Sequence, residues 1–197
     1  MISKRSVVVP FCILTIALVA SSCAPKTGGQ GAIDGEASRS WNDRSAALNS
    51  GGSYLQAAEA ADKAIRHDPK NSFAWNNKGV ALLGLRKYTE ALTAIETAIG
   101  LKPENALAWS NKGVVLRLQG HYEEALRATD QAQKYDPRNG VIWYNKACYA
   151  ALTGDRETSL KSLSRAIGLE PGLKSDAAQE TDLESLRGDP EFKKLIE

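Results

Sequence analysis

Residues 72–105 read SFAWNNKGVALLGLRKYTEALTAIETAIGLKPEN, and residues 106–139 read ALAWSNKGVVLRLQGHYEEALRATDQAQKYDPRN. Laid over one another without a gap, the two 34-residue strings share tryptophan at 75 and 109, Asn-Lys-Gly at 77–79 and 111–113, tyrosine at 88 and 122, and proline at 103 and 137. Alanine recurs at 91 and 125 and again at 98 and 132. The same step carries outward in both directions. Trp41 and Trp143, Pro69 and Pro171, Ala57 and Ser159, and Ala64 and Ala166 all stand in phase; Tyr54 joins the tyrosines, while the fourth slot holds Arg156. Chance does not align five columns at one period, and self-similarity at a fixed step of this size marks an architecture of stacked repeats.

Within a unit, Trp75, Gly79 and Leu82 fall at i, i+4 and i+7, one face of a first helix. Tyr88, Ala91, Leu92, Ile95, Ala98 and Ile99 trace the inner face of a second. Gly79 and Gly113 sit mid-helix, where glycine costs about 1 kcal/mol against alanine. That cost is tolerable where a partner helix comes too close for a side chain, and Ala91 and Ala125 are expected opposite them. Asn71, Asn105 and Asn139 each follow a proline by two residues and are expected to cap the next first helix. The tryptophans are expected in the core, where truncating a fully buried one costs about 3–5 kcal/mol.

These columns resemble the tetratricopeptide repeat. The resemblance covers residues 38–171 and implies an all-α fold, a right-handed solenoid of four helix-turn-helix units at 38–71, 72–105, 106–139 and 140–173. C-terminal capping helices would occupy 172–197. Two short helices are expected there, at 174–187 and 189–196, the second opened by Asp189-Pro190, with Leu183, Leu186, Phe192 and Leu195 covering the apolar end of unit four. The units are not uniform. Unit one carries Ser45 at the Gly79 slot and small Ala58 and Ala61; unit three carries Thr129 and Gln133 at apolar slots; unit four has Ser159 for alanine. Unit one is therefore expected to be the most loosely ordered.

In the tetratricopeptide family the first helices line a concave groove. Carried onto this sequence, one groove column is Asp43, Asn77, Asn111 and Asn145. In some members asparagines at this slot grip the backbone of an extended ligand, because a carboxamide both donates and accepts. The competing reading, that they bond neighbouring helices, stands beside it. Around that column lie Phe73, Leu107 and Val141, then Val80, Val114 and Cys148, with Tyr144, Leu83, Leu118 and Leu152 nearby. Together they describe an apolar groove with amide rungs. Arg39 and Arg117 are the groove cations, too few for the carboxylate-clamp pattern. Arg44, Lys78, Lys112 and Lys146 form a basic column that either attracts an acidic partner or lays its stems over neighbouring side chains.

The N-terminus has its own logic. Lys4 and Arg5 precede an uncharged run at 7–20, short for a membrane span, that ends in Ala20-Ser21-Ser22-Cys23. This resembles a bacterial lipoprotein signal, with residues 1–22 removed and Cys23 carrying diacylglycerol and a further acyl chain such as palmitate. Ala20 departs from the usual leucine at that place, and an ordinary cleaved signal or an uncleaved anchor are the alternatives. Ala24 following the cysteine implies the periplasmic face of the outer membrane if the host has two membranes. Residues 23–37 are then expected to be the lipidated cysteine and a flexible tether.

Composition narrows the function. The chain has 25 basic and 23 acidic residues. Setting aside Lys4 and Arg5 of the signal leaves 23 of each, so no basic face argues for nucleic acid. His67 and His121 are out of phase, no metal-ligand spacing or phosphate-binding loop is present, and Cys148 reads as a small apolar residue. No catalytic set, metal or cofactor is expected. The function that follows is a membrane-anchored scaffold or assembly factor holding protein or peptide segments; the alternatives are a homo-oligomerising envelope protein and an adaptor for a cell-wall enzyme.

Overall fold

The computed structural model describes residues 30–197, so the signal segment and Cys23 lie outside the described residues. Eight helices follow one another as antiparallel pairs: α1 (Gln30–Ser50) with α2 (Tyr54–His67), α3 (Ser72–Gly84) with α4 (Tyr88–Leu101), α5 (Ala106–Leu118) with α6 (Tyr122–Tyr135), and α7 (Gly140–Leu152) with α8 (Arg156–Leu169). Each first helix also packs on the first helix of the next unit, which is what bends a row of hairpins into a solenoid with one face built from first helices. Three short pieces close the end: α9 (Leu173–Gln179), a 3-10 segment (Thr181–Leu186) and α10 (Pro190–Ile196).

The punctuation works as its chemistry dictates. Asn71 Oδ1 accepts from the backbone N–H groups of Phe73 and Ala74, Asn105 from Ala108, and Asn139 from Val141 and Ile142. Asp189 caps α10 through Glu191 and Phe192, with Pro190 in the first turn. Asn105→Ala is expected to cost about 1 kcal/mol, read as a lower urea midpoint.

The close approach of paired helices is met in two ways, by glycine in units two and three and by a serine hydroxyl in units one and four. A Cβ on Gly79 would stand 2.4 Å from Ile95 Cγ1 and 3.2 Å from the Ala91 carbonyl; one on Gly113 would stand 3.0 Å from Thr129 Oγ1 and 3.2 Å from the Ala125 carbonyl. The alanines expected opposite those glycines are there. In unit one the buried Ser45 donates to the Ala57 carbonyl (2.8 Å), and in unit four the buried Ser159 donates back to the Ala147 carbonyl (2.7 Å). Hydroxyl bonds thus join the pairs whose sequences lack the glycine.

Two apolar clusters form the core. One joins units two and three around Ile95, Val115 and Leu83; the other joins units three and four to the C-terminal pieces around Tyr149, Leu163, Leu183 and Phe192. Unit one enters neither cluster. It buries Ala57, Ala60, Ala61 and Ala64 and relies on polar ties: Ser38 Oγ donates to the Ala64 carbonyl (2.9 Å), and Asn71 donates to Ser38 (2.9 Å).

Three expectations need correction. The tether was expected to run to residue 37, but α1 begins at Gln30; buried Ser38 ties this stretch to α2 and α3, and packing of that kind overrides the weak helix propensity of glycine. The helix expected at 174–187 is broken at Glu180, whose extended backbone (φ −68, ψ 123) separates α9 from the 3-10 segment. The tryptophans are half-buried rather than fully buried. Trp75, Trp109 and Trp143 instead staple the inter-unit loop, each Nε1 donating to the carbonyl of the proline six residues earlier at 2.8–2.9 Å.

Candidate functional site

The lysine column does not point outward for a partner. Lys78 pairs with Asp62 (2.8 Å), Lys112 with Glu96 (2.7 Å) and Lys146 with Asp130 (2.7 Å), each acid lying on the second helix of the preceding unit. Each ammonium also stands over the tryptophan of its own helix, at 5.4–5.7 Å from the ring centroid. The column is a set of inter-unit clamps, in line with stems laid over neighbours.

The asparagine column runs along the first helices. Asn77 donates through Nδ2 to Oδ1 (2.9 Å) and the carbonyl (3.3 Å) of Asn42; Asn111 donates to Asn76 Oδ1 (2.9 Å); Asn145 donates to Ser110 Oγ (3.4 Å). Each amide therefore reaches back to the residue 35 places earlier, on the preceding first helix. Each amide nitrogen thus donates to a neighbouring first helix, as the competing reading expects. The acceptors differ: among the described residues no donor reaches Oδ1 of Asn77 or Asn111, and both side chains are half-buried. Two amide oxygens, at units two and three, are thus open acceptors on this face. Asp43 is exposed at the same slot of unit one.

The apolar columns change along the solenoid in the same direction. Phe73 is 44% exposed, Leu107 is half-buried, and Val141 is buried. Val80 and Val114 are buried and support packing between units, as is Cys148. Leu118 is 38% exposed at the end of α5. Val141, Tyr144 and Asn145, expected to line the groove, are closed off from solvent. Tyr144 occupies a slot that is buried in units two and three as well, as Asn76 and Ser110 show; Val141 and Asn145 are closed off where their counterparts are not, on the helix against which the 3-10 turn and α9 pack. The face is open at Phe73 and Leu107, and the C-terminal segment covers it from Arg117 in unit three through unit four.

What fills it brings its own charge. Asp182 forms a fork with Arg117, Oδ2 accepting from Nε at 2.7 Å and Oδ1 from Nη2 at 2.5 Å; both side chains are buried. Glu180 lies beside them, buried, its Oε1 accepting from the Asp182 N–H (3.3 Å). Burial pushes the Glu180 carboxyl above its ordinary value of 4.5, and the Asp182 carboxylate adds to the rise, against the opposing pull of the Asp182 N–H and Arg117. A raised folded-state value means stability that is present at low pH and lost as pH rises through that value. Glu180→Gln keeps the capping oxygen and removes the buried charge. The variant is expected to melt higher than the parent at pH 7, with the gap shrinking as pH is lowered toward 4.5, in paired thermal melts.

Arg156, standing where the other units have tyrosine, bonds Asp189 and Glu191 and so fixes α10 to α8. Sequence reasoning missed Asp182 and Glu180 as groove residues, since nothing periodic marks them. The acceptor column Asn42, Asn76 and Ser110 was missed as well, although its polar residues stand in phase one position before the asparagines; the longest rung, 3.4 Å, falls on Ser110. A cleft of about 210 Å³ between α5 and α6, walled by Trp109, Lys112 and Arg127, holds none of the groove columns. Among the described residues no group of three or more His, Cys, Asp or Glu is placed to hold a metal ion, and no helix is long and apolar enough to cross a membrane.

With that geometry in hand, comparison places the chain. The tetratricopeptide repeat model matches it three times, at residues 45–106, 76–133 and 116–174. The chain belongs to the tetratricopeptide-repeat family. No curated protein sequence matches it significantly. Among solved structures, this tetratricopeptide-repeat chain is similar to MamA, with TM-score 0.63 at 15% identity over 79% of this chain and 88% of the other. MamA from Desulfovibrio magneticus RS-1 (residue 41 to the end) gives 0.61 at 20% identity over 82% and 94%. The first TPR of Spaghetti (RPAP3), bound to the HSP90 peptide SRMEEVD, gives 0.57 at 18% identity over 61% and 95%. At these identities the likeness is one of fold.

Proposed function

We propose that this chain is a non-catalytic protein-binding scaffold, tethered to the cell envelope by lipid on Cys23, that holds an extended segment of a partner protein along the first helices of units one to three. The observation that carries this is the state of the groove. Phe73 is 44% exposed beside half-buried Leu107, and the Oδ1 atoms of Asn77 and Asn111 meet no donor among the described residues. Phe73, partly exposed with the Lys102 ammonium 4.9 Å from its ring centroid, stands beside amide acceptors and suits a segment that supplies apolar side chains and backbone N–H groups together. The solved TPR domain bound to an HSP90 peptide supports the reading that this fold takes peptide ligands. The envelope placement rests on the basic start, the apolar run and the small residues leading into Cys23. A near-neutral charge balance supports a protein partner over nucleic acid.

The test is affinity capture from solubilised envelopes with the chain and its Phe73→Ala, Asn77→Ala, Asn111→Ala variant, after circular dichroism shows equal folding. Capture of a specific protein is expected to fall at least tenfold in the variant. Unchanged capture sinks the groove, and capture of nothing but further copies of the chain replaces the scaffold with self-assembly. A Cys23→Ala form is expected to leave the membrane fraction; if it stays there, the lipid anchor is wrong.

A further inference from the structure

The filled end of the groove is itself a record of what the groove accepts. Residues 180–186, ETDLESL, lie against α7 in a non-repetitive conformation, an extended residue followed by a 3-10 turn. Their hold on the repeats is of the kind a ligand makes: the Asp182 carboxylate on the Arg117 guanidinium, and the apolar side chains of Leu183 and Leu186 in the cluster with Tyr144. Arg117 belongs to unit three, 65 residues away, and adjoins exposed Leu118 at the boundary between the open and the filled stretch. We propose that residues 180–186 are a self-docked segment, and that the groove's partner carries a like segment, an acidic residue followed by leucines, which takes its place on Arg117.

Three features argue for exchange over a permanent lid. The pieces are short, seven residues in α9, six in the 3-10 turn and seven in α10, below the length at which a helix holds without tertiary contacts. The buried site sets two carboxylates, Asp182 and Glu180, beside one guanidinium, and the burial that pushes the Glu180 carboxyl up is a cost the docked state bears and the undocked state does not. And a partner segment that covers Arg117 in place of Asp182 must offer its guanidinium an acceptor, for which a carboxylate is the strongest match. That last point selects an acidic segment over a purely apolar one. Arg117 thereby becomes the specificity-determining residue of the groove, reached by a partner segment that already lies over Phe73 and Leu107 in units two and three.

This inference rests on the groove being the functional face, and its test uses a probe whose binding fails separately from partner capture. The probe is a fluorescein-labelled peptide of residues 178–188, AQETDLESLRG, titrated by anisotropy against the full chain in detergent micelles. Wild type, with its site filled, is expected to bind weakly. Asp182→Asn, which removes the docked segment's charge from Arg117 and weakens its hold, is expected to bind at least tenfold more tightly. Adding Arg117→Gln to that variant, or asparagine for the aspartate in the peptide, should abolish the gain. Equal binding by wild type and Asp182→Asn, or a gain that survives loss of Arg117, overturns the proposal. Hydrogen exchange on the wild type decides even where the variants do not fold. Excess peptide is expected to speed exchange at residues 180–186 and leave α3 and α4 unchanged; no change at saturating peptide overturns the exchange of segments. Loss of partner capture in the Phe73 variant with peptide binding intact separates the open groove from this site.

Discussion

Arg117→Leu is expected to lower the unfolding free energy by about 3–5 kcal/mol, the cost of leaving a buried charge without its partner. Asp182 is 8% exposed and its two oxygens face the Arg117 fork, so removing the guanidinium takes away the cation that balances a buried carboxylate. The loss is specific to breaking the pair. Taking two ions out of water costs nearly what their attraction returns, so the Arg117→Leu, Asp182→Leu double variant is expected to regain most of the stability. Urea melts of the parent, both singles and the double measure this as a coupling energy. Singles that each cost less than about 1 kcal/mol would match an exposed ion pair and would mean that the C-terminal segment is not seated on unit three.

The second large effect lies where α3 meets α4. Ile95→Ala is expected to cost about 2–5 kcal/mol, because the side chain is fully buried and the helices around it cannot close on the void. Gly79→Ala sets a methyl 2.4 Å from Ile95 Cγ1, an overlap costing about 1–3 kcal/mol, less the roughly 1 kcal/mol by which alanine suits a helix better than glycine. Combined, the two changes fit one another: the methyl on residue 79 occupies part of the space that Ile95 leaves. The double variant is expected to be more stable than the sum of the singles by about 0.5–3 kcal/mol, in the same melts. Strict additivity would mean that the glycine does not serve helix contact.

Much of the fold was legible because it repeats. A period of 34 residues carries the helix pairs, the asparagine caps, the glycine contacts and the lysine clamps, and each column repeats the same neighbour relation. The clamps show why a column alone is ambiguous. Lys78, Lys112 and Lys146 read equally as a basic stripe, and only the acids at 62, 96 and 130, on the preceding second helices, decide between the readings. The tryptophans misled because indole is large. It covers the core with one edge and keeps Nε1 at the surface for a loop carbonyl, so half-burial is the outcome.

The site was legible only in part, for a reason that is topological. Asn77, Asn111 and Asn145 are identical in sequence phase, yet Asn145 is buried and the others are half-open. That difference comes from residues 180–186, which stand outside the period and reach Arg117 across 65 positions. No local pattern announces a contact of that separation. Val141 likewise fits the groove by phase but is closed off, whereas Tyr144 shares the burial of Asn76 and Ser110 in the earlier units.

The most direct measurement of the central claim is site-specific photo-crosslinking in the native envelope. Benzoylphenylalanine replaces Phe73, Leu107 or, as a control on the exposed face of α6, Glu123. The account predicts a common protein adduct from positions 73 and 107 and none from 123. An adduct from 123 with silence at 73 and 107 would contradict it, and would move the working face from the groove to the second helices.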